Sequence, residues 1–125
     1  SPTRMVLVKD KRFPCPRWKL PGGGIEPTDI DVISAAIREC QEETGLSLAL
    51  NEVSFHSTQI RKNGSYRPHL CIAEVTEEKL DTRVKIGNED GRDIMVGAFD
   101  RDEVPTMVDL LQVHRGLVNE ALASV

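Results

Sequence analysis

Arg38-Glu39-Cys40-Gln41-Glu42-Glu43-Thr44-Gly45-Leu46 is the stretch on which the reading of this 125-residue chain turns. Followed back to Asp31, it places Ile33, Ala36, Ile37 and Cys40 at three- and four-residue intervals, the helix period. Thr28, Asp29 and Asp31 are candidate N-caps, and Gly45 stands where a left-handed C-cap belongs. On such a helix Glu39 lies three residues from Glu42 and four from Glu43, so the carboxylates gather on the side opposite the apolar residues. Like charges at this spacing cost an isolated helix roughly 0.2–0.5 kcal/mol per pair. A cation should offset them: either Arg38, whose fork grips a carboxylate, or a divalent metal, which takes oxygen ligands. The bland alternative is a solvated charged face.

Upstream, Trp18-Lys19-Leu20 alternates apolar and polar before Pro21-Gly22-Gly23-Gly24 stops any regular element. Glycines leading into the acidic helix let backbone groups approach a phosphate-bearing ligand with no side chain in the way. Carboxylates beside a phosphate-sized space suit magnesium-assisted phosphoryl chemistry, because Mg²⁺ shares its shell between one or two carboxylates, waters and substrate oxygens.

Together, Pro21-Gly22-Gly23-Gly24-Ile25-Glu26-Pro27 and Arg38 to Leu46 resemble the Nudix box of the Nudix hydrolases. The family pattern is Gly, five residues, Glu, seven residues, then Arg-Glu-U-x-Glu-Glu-x-Gly-U, with U a bulky apolar residue. The second half matches at every fixed position if Cys40 counts as apolar. The first half departs from it. Counted from Gly24, Ile30 occupies the place of the Glu; counted from Gly23, Asp29 occupies it and one extra residue precedes Arg38. The second register is preferred, because it keeps Gly23-Gly24-Ile25-Glu26-Pro27 in the family's order. Asp93 to Pro105 is loosely similar to the strand and Asp-Glu-x-Pro turn that follow in the family.

The resemblance implies an α+β fold, an α/β/α sandwich with a mixed sheet between the box helix and a C-terminal helix. It implies that Glu39, Glu42 and Glu43 ligate Mg²⁺ or Mn²⁺ with the Gly23 carbonyl, and that Arg38 orients the glutamates. The family splits the pyrophosphate of a nucleoside diphosphate linked to another moiety, by attack of a metal-activated water. The general base is then Glu89 or Asp90, in Gly87-Asn88-Glu89-Asp90-Gly91, or else Glu39 within the box. Gly23 and Gly24, with Arg17 from the preceding loop and Lys19 from the strand that follows it, are the expected substrate contacts. The compact length suits the branch that clears nucleoside triphosphates. Gln59 to Lys62 lacks the proline of the ADP-ribose branch, and Tyr66 falls slightly late for the diadenosine polyphosphate branch. The rival class is a Nudix-like module that binds a nucleotide without turnover; the intact Arg38/Glu39/Glu42/Glu43 set argues for the enzyme. A ligand-free acidic interaction domain is the bland reading.

Composition bounds the rest. A net charge of −4 disfavours general binding to a nucleic-acid polymer or an anionic membrane, and no apolar run nears the ~18 residues of a membrane span. Residues 1–125 read as one domain, with a small molecule as partner and a homodimer compatible with the sequence. Cys15, Cys40 and Cys71 match no zinc spacing and leave an odd thiol, which points to a reduced, cytoplasmic setting, Cys40 and Cys71 being small core residues. Strands are expected at Met5–Val8, Leu46–Leu50, Val53–Ile60, Leu70–Val75 and Ile94–Phe99, with a hairpin turn at Lys62-Asn63-Gly64-Ser65. An amphipathic helix is expected from Val108 to Leu122, facing the core with Leu110, Leu111, Val113, Leu117, Val118 and Leu122. Family members carry a further strand before Met5–Val8, so the native chain is expected to extend before Ser1. Lys9, Lys11, Arg12, Arg61, Lys62, Arg67 and His69 are the remaining basic candidates, and Trp18, Tyr66 and the three Phe are the aromatic groups able to stack on a base. His56 and His114 are read as packing or solvent-facing.

Overall fold

The computed structural model describes residues 3–59, 68–79, 87–89 and 92–125. Strand β1 (Arg4–Asp10) pairs antiparallel with β5 (Arg92–Asp100), from Arg4 opposite Asp100 to Asp10 opposite Ile94. Strand β4 (Gly87–Glu89) pairs with the start of β5, giving the order β1-β5-β4. Leu7 and Val8 are neighbours on β1, so their side chains point to opposite faces, yet both are fully buried. Both faces of the sheet are therefore covered. Leu7 packs with Trp18, Val104, Leu110 and Val118, whereas Val8 packs with Ile94 and Val96.

A second antiparallel ribbon joins β2 (Val53–Thr58) to β3 (His69–Ala73), with a register shift between Phe55 and Ser57. Helix α1 (Val32–Thr44) packs on β2, β3 and β5, and helix α2 (Arg115–Ala123) packs on β3 and on a turn at Val104–Thr106. Leu70, Leu117 and Ala121 form the contact between β3 and α2. This is the expected α+β architecture. Its named strands all pair antiparallel, and among the described residues the parallel component is one bridge, Trp18 to Leu110.

Several expectations change. Leu46–Leu50 is not a strand: Leu46 tucks into the core below the helix C-cap, Leu50 is exposed, and the chain enters a single 3₁₀ turn at Leu50–Glu52. Trp18 and Lys19 make bridges rather than a full strand. The last helix begins at Arg115, not Val108. The preceding segment is spent on Trp18, whose N–H donates to Asp109 O (2.8 Å) and whose carbonyl accepts from Leu111 N–H (2.7 Å). Val108 and Val113 are consequently exposed, while Leu110, Leu117 and Val118 keep the core role expected of them. Gly87–Glu89, read as part of a turn, is a paired strand. The hairpin turn at Lys62–Ser65 lies outside the described residues.

Candidate functional site

The box helix is held by local chemistry at both ends. Of the three candidate caps, Asp31 is the one that accepts from Ser34 N–H (2.8 Å), and Gly45 closes the helix with φ 79°, donating to Gln41 O (3.0 Å). Thr44, buried at the last turn, donates to Cys40 O and accepts from Leu46 N–H (3.1 Å), which fixes how the chain leaves the helix.

Arg38 is the hub. Its Nε donates to Asp29 Oδ1 (3.0 Å) and its Nη2 to Asp29 Oδ2 (2.9 Å), a two-point grip on a carboxylate only 6% exposed. Nη1 donates to Glu39 Oε1 (2.8 Å) and lies 3.4 Å from Glu42 Oε2. Nη2 also donates to the Gly24 carbonyl (3.0 Å). The register question is thereby answered: Asp29 is the acid that meets Arg38, and Ile30, the residue the other register would have used, is 92% exposed. Arg38 hydrogen bonding holds the Asp29 carboxyl below the usual carboxylate range, and Asp29 then Glu39 raise the guanidinium in return.

The glycine loop is pressed onto this face. A Cβ on Gly23 would sit 2.7 Å from the Glu39 carboxylate, so only glycine admits that approach, whereas Gly22 and Gly24 face open space. Gly22 N–H donates to Glu43 Oε1 (2.7 Å). Glu39, Glu42, Glu43, Arg38, Gly23 and Gly24 are thus brought to one place. Among the described residues, no three acidic, His or Cys side chains converge as a finished metal-ligand group. Glu39 Oε1 and Glu42 Oε2 face Arg38 Nη1, and Glu43 Oε1 accepts from the loop.

The other expected contacts are engaged elsewhere. Arg17 donates to Val108 O (3.3 Å), and Lys19 lies over the Phe13 ring, 5.6 Å from its centroid. Lys9 sits over Trp18 and 3.4 Å from Asp109. Arg12 clamps Asp10, whose carboxyl falls to about 2 chiefly because of that side-chain hydrogen bond. Trp18 is core, 9% exposed and edge-on to Phe99, so it is not presented to a base. Phe13 and Phe55 are the exposed aromatic rings among the described residues. The Glu89 backbone pairs with Arg92, while Asp90, Arg61, Lys62, Tyr66 and Arg67 lie outside the described residues. Cys15 is exposed; Cys40 and Cys71 are half-buried, and burial pushes both of those thiols up. His56 Nε2 lies 3.3 Å from Glu120 Oε1.

His114, read as packing or solvent-facing, instead accepts the Leu20 N–H at Nδ1 (3.1 Å) and so holds the chain just before the glycine loop. Nothing near His114 in the sequence signals this contact, which joins residues 94 apart.

Known proteins bear on this geometry. The family model for the NUDIX domain matches residues 1–117. Diphosphoinositol polyphosphate phosphohydrolase 3-beta of Bos taurus is 37% identical over 87 residues, covering 68% of this chain and 51% of that protein. Diphosphoinositol polyphosphate phosphohydrolase 2 of Mus musculus is 35% identical over 86 residues, covering 68% and 46%. The chain spans about half the length of these curated relatives. A solved structure from work on MutT of Aliivibrio salmonicida and Vibrio cholerae superposes with a TM-score of 0.74 at 14% identity, over 98% of this chain and 88% of that one, a likeness of fold.

Proposed function

The chain belongs to the Nudix family, and from that premise we propose that it is a divalent-metal-dependent hydrolase of phosphoric anhydride bonds in a small polyphosphorylated molecule. The observation that carries the reading is the Arg38 hub, which holds Glu39 and Glu42 beside the backbone of Gly23 and Gly24. A purely solvated charged face has no need to bring a glycine so near a carboxylate that an added Cβ would clash with it.

The donor chemistry fits Mg²⁺ or Mn²⁺: three hard carboxylates, with peptide oxygens on an adjacent loop free of side chains. Glu39, Glu42, Glu43 and the Gly23 carbonyl would hold the ion, which supplies a water of lowered pKa and neutralises phosphate charge. Glu43 would give up the Gly22 N–H to take that role. Arg38 keeps Glu39 and Glu42 in line through Nη1. The proton acceptor is assigned to Glu39, whose carboxylate already lies against the glycine loop, with Glu89 as the competing acid. The Glu89 backbone is paired to Arg92 on β5 rather than standing in a turn.

The substrate class is a nucleotide, a nucleoside triphosphate or a relative of one. Diphosphoinositol polyphosphates form a second reading, favoured by the names of the relatives and by the burial of Trp18, which removes one base-stacking surface. Residues 1–125 belong to a single domain, acting on a small molecule rather than a nucleic-acid polymer, in the cytoplasm. No helix of the described residues is long and apolar enough to cross a membrane.

The test is phosphate or nucleoside monophosphate release from a panel of both substrate classes with Mg²⁺. Turnover that EDTA abolishes is expected. Turnover undiminished in metal-free buffer would sink the metal assignment, and tight binding of panel members without turnover would return the chain to the nucleotide-sensing module.

A further inference from the structure

The backbone ladder that leads into the glycine loop ends on a side chain. Trp18 pairs parallel with Leu110: Trp18 N–H donates to Asp109 O (2.8 Å), and Trp18 O accepts from Leu111 N–H (2.7 Å). In a parallel ladder of this register the next donor, Leu20 N–H, would go to Leu111 O. That carbonyl is already taken, because it accepts from His114 N–H (3.0 Å) as the chain turns toward α2. Leu20 N–H donates instead to the imidazole Nδ1 of His114 (3.1 Å). The residue whose backbone captured the carbonyl thus supplies, from its ring, the acceptor that replaces it.

The replacement changes the chemistry of the bond. A peptide carbonyl accepts at any pH at which the protein folds, whereas an imidazole nitrogen accepts only while it carries no proton. In the charged ring both nitrogens are donors, so Nδ1–H would point at Leu20 N–H. Leu20 and His114 are both half-buried, and the Leu20 amide would lose its acceptor and face a positive charge. The Leu20 side chain packs against two buried clusters, one around Leu7 and Trp18 and one around Leu70 and Leu117. Two residues on, Gly22 N–H donates to Glu43, and Gly23 follows against Glu39. The His114 ring therefore stands between the start of α2 and the entrance of the loop that faces the box carboxylates.

Among the described residues, the charged side chains on the segments that meet the ring have partners of their own. Lys19 lies over Phe13, Asp109 faces Lys9, Arg115 donates to the Pro105 and Met107 carbonyls, and Glu120, further along α2, faces His56 and Gln59. We propose that His114 is an acid-released latch: while neutral it closes the ladder onto Leu20, and on taking up a proton it opens the entrance of the glycine loop. The fold uses the neutral ring, so the latch holds above about pH 6.5, where an unfolded histidine has given up its proton, and is lost as the pH falls below that value. It is a property of the loop's anchorage and is independent of whether the box turns over a substrate.

The experiment follows the Leu20 amide and the His114 ring nitrogens of the full chain by NMR, from about pH 7.5 down to about pH 5. Leu20 hydrogen exchange, corrected for its intrinsic rate, is expected to become about tenfold faster at the acid end, with the same midpoint as proton uptake at His114 Nδ1. Trp18 and Leu111 N–H, which donate to carbonyls, should change by less than about threefold and serve as the reference. In His114→Asn the side-chain oxygen accepts at every pH, so Leu20 exchange should stay slow and lose its dependence on acid. His114→Gln is a second acceptor without a titrating ring and guards against misfolding of the asparagine variant. Leu20 exchange that depends on acid equally in the unaltered chain and in both variants overturns the latch. So does loosening of Trp18, Leu111 and Leu20 by one common factor, or a neutral ring whose proton is found on Nδ1.

Discussion

From Gly22 to its exit at Gly24 the glycine loop is tied by charge: Arg38 donates to the Gly24 carbonyl and Gly22 donates to Glu43, contacts that span 14 and 21 residues of chain. At its entrance the same loop is tied by neutral hydrogen bonds across the fold. Leu20 N–H donates to His114, 94 residues away, and Trp18 is stitched to Asp109 and Leu111. The exit carries the groups that do chemistry, and the entrance fixes where the loop starts. Breaking the exit should therefore cost turnover with little loss of stability, and breaking the entrance should do the reverse.

The largest effect is expected at the exit. Glu42→Gln keeps the shape and helix propensity of the side chain but removes a charge facing Arg38 and the proposed ion. Turnover at saturating Mg²⁺ should fall by about 10²-fold or more, on the scale of other positioned catalytic groups. Thermal stability without metal should be unchanged or slightly raised, because one like-charge pair on the helix is relieved. Near-normal turnover in steady-state assays would reduce Glu42 to part of a charged face and remove the asymmetry between the two ends.

Next come Gly23 and Gly24, adjacent in the loop and opposite in their surroundings. Gly23→Ala sets a methyl 2.7 Å from the Glu39 carboxylate, so either the loop or Glu39 must move. Gly24→Ala meets nothing within 4 Å. The first change should lower kcat about tenfold or more, while the second stays within about twofold, as read from parallel kinetics on the two proteins. Equal effects would mean that the loop acts through backbone freedom alone and not through its approach to Glu39.

The same contrast explains what the sequence made legible. The box helix, its Gly45 cap and the carboxylate cluster are encoded within a few turns of chain, so periodicity and motif spacing suffice to place them. The apolar runs of β1 and β5 likewise survive folding as strands, and Leu7 and Val8 show the first of them buried on both faces. The register of Asp29 was readable only as a preference, since an inserted residue can be absorbed by a loop in more than one way. Leu46–Leu50 alternates like a strand and fails as one because its residues are drawn under the helix C-cap instead of into a ladder. The start of the last helix was missed for a comparable reason. Val108 to Val113 has helical spacing, but pairing with Trp18 claims its backbone, and the Arg115 guanidinium then donates to the Pro105 and Met107 carbonyls ahead of the helix. Partners of this kind, set by the fold and not by neighbouring residues, also decide that Arg17 and Lys19 bind Val108 and Phe13.

The smallest effect on turnover, and the clearest on stability, belongs to the entrance. His114 presents Nδ1 to Leu20 N–H at 3.1 Å in a half-buried setting, so its proton sits on Nε2 and the ring acts as an acceptor. His114→Ala leaves that amide without the acceptor, and a buried donor that loses its partner costs about 1 kcal/mol or somewhat more. His114→Asn offers an amide oxygen near the place of Nδ1 and should recover most of the loss. In urea melts, the alanine variant is expected about 1 kcal/mol below the parent and the asparagine variant within about half of that. Both should keep kcat within about threefold, because Arg38 and Glu43 still tie the far end of the loop to the helix. If alanine and asparagine are equally stable, the bond to Leu20 does not hold the entrance. If instead His114→Ala loses turnover as steeply as Glu42→Gln, the two ends are mechanically coupled and the division between a chemical exit and a structural entrance is wrong.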